Sequence, residues 1–67
     1  MGMSALDELG TAAQCVLGAR QALARALEGY VGIDESVCRA LTAVDSRLRD
    51  QQAKLGSLIE YRREVER

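Results

Sequence analysis

Residues 4–34, SALDELGTAAQCVLGARQALARALEGYVGID, decide the fold. Alanine recurs at heptad spacing through Ala5, Ala12, Ala19 and Ala26. Beside it runs a second stripe, Leu6, Leu9, Ala13, Val16, Arg20, Leu23, Leu27 and Tyr30, apolar at every position but Arg20. Steps of three and four put such residues on one side of a helix. The alanine edge is nearly smooth and lets another helix approach to the short end of the usual ~8–10 Å interaxial range. Ser4 followed by Asp7 is a capping-box-like start, with Asp7 and Glu8 well placed near a helix N-terminus. Gly29-Tyr30-Val31-Gly32 then offers a helix exit into a tight turn. The expectation is a helix over 4–28 and a turn over 29–33.

Outward from the turn, Asp34 can cap a second helix, with Ile33 and Cys38 in staple positions and Glu35 in the first turn. The pattern predicts this helix over 34–66. Its stripe reads Val37, Leu41, Val44, Leu48, Gln51, Leu55, Leu58, Arg62 and Val65, the period of a left-handed coiled-coil seam. Asp45–Arg49 and Asp50–Lys54 supply acid-to-base pairs four apart, and Arg62, Arg63 and Arg67 suit a helix C-terminus. A short connection makes the helices antiparallel. Folding near residue 32 or 33 sets Leu27 against Val37 and Cys38, Leu9 against Leu55, and Leu6 against Ile59. Arg20 then meets Asp45 in an ion pair across the hairpin. The competing reading is that Arg20 snorkels to water on its long stem.

Composition narrows the function classes. The chain has 67 residues, 48% hydrophobic but only 3% aromatic, with no Phe, Trp, His or Pro. One small domain of this size commonly needs a staple or a partner. A net charge of -1 argues against disorder and against nucleic-acid binding, which calls for a basic face. Absence of His removes the commonest metal ligand and general base. Cys15 and Cys38 lack companion ligands, and the register offsets them by about twelve residues, or ~18 Å at the helical rise. That is far beyond the ~7 Å a disulfide tolerates. No basic n-region and apolar h-region open the chain, and no run reaches the ~18 apolar residues of a membrane span. Gly2 lacks a myristoylation context, because Leu6 stands where Ser or Thr is required. The expectation is a cytoplasmic protein with reduced thiols, no cofactor, no metal and no membrane or nucleic-acid partner.

Catalytic patterns are equally scarce. Asp7–Glu8 and Asp34–Glu35 read as helix-start charges, since paired catalytic carboxylates need a cleft and a raised pKa. Arg39, Arg47, Arg49, Arg62 and Arg63 could imitate an anion site of a small Arg-dependent enzyme or RNA binder. Acidic residues match them one for one in the second half of the chain, so they read as a salt-bridged surface.

What remains is association. The first helix is apolar along its seam, along the alanine ladder, and partly along the other flank through Leu17, Ala24 and Val31; one narrower helix cannot cover all three. Leu6, Leu9, Ala12, Val16, Ala19, Leu23, Ala26 and Leu27 are therefore the candidate protein interface. Gly18, Ala22 and Ala26 offer either a close helix approach or nothing beyond chance. Gln51 either fixes register within a bundle or reaches solvent. The fold expected is an all-α antiparallel two-helix hairpin, coiled-coil-like, completed to a helical bundle by a second chain. That chain is a further copy, giving a homodimer, or another helical protein.

The opening Met3-Ser4-Ala5-Leu6-Asp7, the length and the mid-chain glycines resemble those of the small helical-hairpin co-chaperones of bacterial type III secretion, the YscE-like proteins. The resemblance spans the chain in outline. It implies a hairpin that pairs with a larger helical-repeat chaperone to hold an aggregation-prone needle subunit.

Overall fold

In the computed structural model, residues 4–66 are described. They form two antiparallel helices, α1 (Ala5–Tyr30) and α2 (Glu35–Val65), packed side by side as an all-α hairpin. Gly2, Met3 and Arg67, which entered the sequence reading, lie outside the described residues, as does Met1.

Each helix starts where its cap dictates. The Ser4 hydroxyl accepts from the Asp7 amide at 3.1 Å, and the Asp7 carboxylate accepts from the Ser4 amide at 3.4 Å, closing a reciprocal box. Two of the amides left unpaired at a helix start are thereby satisfied. Asp34 caps α2 with a single bond, its Oδ1 accepting from the Val37 amide at 3.2 Å.

The turn sits later than the glycine pattern suggested. α1 runs through Gly29 to Tyr30, and Gly32 is the residue with positive φ, at 79°. An L side chain is disfavoured there by contact between Cβ and the backbone. With the left-handed step at Gly32, the Tyr30 carbonyl accepts from both Ile33 (3.0 Å) and Asp34 (3.1 Å). Those bonds stop α1 and deliver Asp34 to its capping position.

The inner face of α1 matches its heptad stripe: Leu6, Leu9, Ala13, Val16, Arg20, Leu23 and Leu27 are half-buried, while Tyr30 is exposed. The inner face of α2 differs from expectation. Val37, Cys38, Leu41, Asp45, Leu48, Gln52, Leu55 and Ile59 are half-buried. Val44, Gln51, Leu58, Arg62 and Val65 are exposed. Two overlapping seven-residue patterns compete on this helix, and the polar demand of Arg20 selects between them. A charged group drawn into a seam needs hydrogen-bonding partners. Asp45 and Gln52 supply them.

Candidate functional site

Arg20 reaches across the hairpin with two donors. Its Nε donates to Asp45 Oδ1 at 3.0 Å, and its Nη1 donates to Gln52 Oε1 at 2.8 Å. Both side chains of the ion pair remain partly open to water. Asp45 thus turns inward to Arg20, although its spacing also suited Arg49 four residues on. Arg62 bonds Glu66 at 3.1 Å along the helix surface. Gln52, one residue beyond the polar position singled out in the sequence, was the partner that pattern reading missed. Its signal was present: Gln52 lies one heptad after Asp45.

This arrangement fixes which sides of the two helices lie together. An open groove on one side is lined by Leu17, Arg20 and Ala24 from α1 and by Thr42 and Asp45 from α2. At 100° per residue, Leu17 and Ala24 stand roughly 70° to one side of the α1 seam, and Ala12, Ala19 and Ala26 about 85° to the other. On α2, Thr42 stands about 90° to one side of its seam, and Val44, Gln51, Leu58 and Val65 about 60–90° to the other. Since Leu17, Ala24 and Thr42 share one side of the hairpin, the alanine ladder and the Val44 stripe share the opposite side.

That opposite side is largely apolar, interrupted on α2 by exposed Gln51 and Arg62. Val44, Leu58 and Val65 are 43%, 50% and 53% exposed. Ala5 and Ala19 are exposed, and Ala12 and Ala26 half-buried. The eight residues proposed from sequence as an interface therefore divide. Leu6, Leu9, Val16, Leu23 and Leu27 pack half-buried along the hairpin's own seam, whereas Ala12, Ala19 and Ala26 form its flank. The second half of the face comes from α2, whose Val44, Leu58 and Val65 make it wider in apolar surface than the sequence pattern suggested.

Among the described residues no cluster of three or more His, Cys, Asp or Glu side chains could hold a metal ion. No helix there is long and apolar enough to cross a membrane. Cys15 is exposed, Cys38 half-buried, and both are free thiols. No protein-family model, curated protein or solved structure matches the chain.

Proposed function

We propose that this chain works by association: its apolar face, Ala12, Ala19 and Ala26 with Val44, Leu58 and Val65, packs against helices of another chain. One observation carries this reading. The hairpin buries no residue fully among those described, and it exposes 5267 Å². A folded monomer of 7.3 kDa is expected to expose about 4,200 Å². The excess is about 1,100 Å², more than the ~800 Å² each partner contributes to a stable protein–protein interface. Two helices side by side leave every apolar residue with one wet flank. A third and fourth helix remove that flank without altering the hairpin.

The function is that of a non-enzymatic interaction module, and the cytoplasm is the setting in which both thiols stay reduced. The likeness in layout to the YscE-like co-chaperones supplies one form of the reading, in which the face lies on a larger helical-repeat chaperone.

The test is the behaviour of the isolated chain on dilution, followed by circular dichroism and sedimentation equilibrium. The expected outcome is a helix content and melting temperature that fall as the chain is diluted, or a loosely packed chain that orders when its partner is supplied. A rigid monomer that melts cooperatively at low micromolar concentration, with this face bare, overturns the proposal.

A further inference from the structure

Resting on that association reading, we infer that the partner is a second copy of this chain, joined about a two-fold axis parallel to the helices in an antiparallel four-helix bundle. Two independent features point there. The first is the area: the surplus surface of one hairpin exceeds the ~800 Å² that one side of a stable interface requires, so two identical hairpins can satisfy each other. The second is how the two halves of the face fit.

A two-fold axis along the helices preserves height, so α2 of the second copy meets α1 at the same level as the hairpin's own α2. Arg20 bonds Asp45 and Gln52, which sets residue 20 level with a point between them. Counting back along the antiparallel pair puts Val44 of the second copy level with about residues 24–25 of α1. A knob in such packing enters a hole framed by residues i, i+3, i+4 and i+7. At that height the hole is framed by Ala19, Ala22, Leu23 and Ala26, three of them alanine. Gln51 and Leu58 follow at the heptad repeat, over the holes between Ala12 and Ala19 and between Ala5 and Ala12. Val44 thus meets a shallow, alanine-framed socket, while Gln51 and Leu58 meet holes framed in part by Cys15 and Val16 and by Glu8 and Leu9, twice over by symmetry. Ladder-on-ladder stacking, by contrast, would set alanine against alanine and α2 against α2, leaving the larger side chains without alanine sockets.

Native Cys15 lies in the socket for Gln51 and gives a direct test. Chains carrying Gln51→Cys but lacking Cys15 and Cys38 are mixed under mild oxidant with chains that keep Cys15 alone. The expected result is a disulfide between unlike chains. The same mixture with Leu58→Cys, a heptad further along and about 10 Å away, should give none, because the bond needs Cα atoms within ~7 Å. Sedimentation should give twice 7.3 kDa. Ala19→Glu should weaken dimerisation about 100-fold by placing two carboxylates in an apolar contact, while Ala43→Glu, on the outward side of α2, leaves it unchanged. If like chains cross-link in preference to unlike ones, the parallel axis is wrong. A loosely packed monomer that orders only with a different protein overturns the second copy and leaves the association reading standing. A rigid, cooperatively melting monomer overturns both.

Discussion

Arg20 and Asp45 lie 25 positions apart in the chain and 3.0 Å apart in space. No other charge enters the α1 stripe, so this contact is where antiparallel pairing is enforced rather than merely permitted. Apolar residues slide past one another with little penalty for a wrong register; a guanidinium facing aliphatic side chains does not. Shifting α2 by one heptad one way would leave Arg20 between Gln52 and Ile59 with no carboxylate, and the other way would exchange Gln52 for Cys38.

Replacing Arg20 should therefore do more than remove one bond. Arg20→Ala and Asp45→Ala are each expected to cost about 1 kcal/mol, since both side chains of the pair are partly solvated. In a domain this small that lowers the melting temperature by roughly 4–8 °C. Thermal melts at one fixed protein concentration check this, because association raises apparent stability by mass action. A double variant no worse than either single one is expected. Fully additive losses would mean that the two groups do not interact in solution.

Glycine substitutions separate the turn from the helix interiors. A Cβ added at Gly18 meets nothing within 4 Å, so Gly18→Ala removes only the backbone freedom of the unfolded chain. A gain of about 0.5–1 kcal/mol follows. Gly32 also has open space around it but sits at φ +79°, so Gly32→Ala should lose roughly 1–2 kcal/mol. Opposite signs in the two melts are the outcome to look for. A loss at Gly18 would reveal a close helix approach on the side that Gly18 faces.

Cap removal offers an independent check on where α2 begins. Asp34 accepts from the Val37 amide and its carbonyl from the Cys38 amide at 3.1 Å. Asp34→Ala deletes the first bond and keeps the second. The expected cost is about 1 kcal/mol, with Asp34→Asn nearly neutral because its amide oxygen accepts equally well. Equal losses in both variants would assign the effect to charge at the helix N-terminus instead.

The hairpin and its handed details were unequally legible. Heptad spacing on α1 picked out its inner face at Leu6 through Leu27, and the Arg20–Asp45 pairing followed from folding the chain at mid-length. α2 was harder because Val37-Val44-Gln51-Leu58-Val65 and Cys38-Asp45-Gln52-Ile59 both flank Leu41-Leu48-Leu55 at the same period. Hydrophobicity favours the first set, and all of it beyond Val37 is left on the flank. The decision lies in a hydrogen-bonding requirement on the other helix, which periodicity within one helix does not contain. The turn was displaced for a similar reason: Gly29 and Gly32 look alike in sequence, and only the bonds to the Tyr30 carbonyl show which takes the left-handed step.

The cysteines test the register without any substitution. Arg20 places residue 15 level with about residues 50–55 of α2, and Cys38 lies some twelve residues or more from there, ~18 Å or beyond at the helical rise. Helices cannot be bent to close that gap, since a disulfide requires Cα atoms within ~7 Å. Oxidation of the folded protein should therefore yield no intrachain bridge, read as an unchanged intact mass for the monomer and no fast-migrating band on a non-reducing gel. Exposed Cys15 should react with a thiol reagent faster than half-buried Cys38 wherever the face is uncovered. Unfolding in denaturant removes both constraints, so the bridge should form there under the same oxidant and the two reaction rates should converge. An intrachain disulfide formed in the native hairpin would require a register in which Arg20 is nowhere near Asp45.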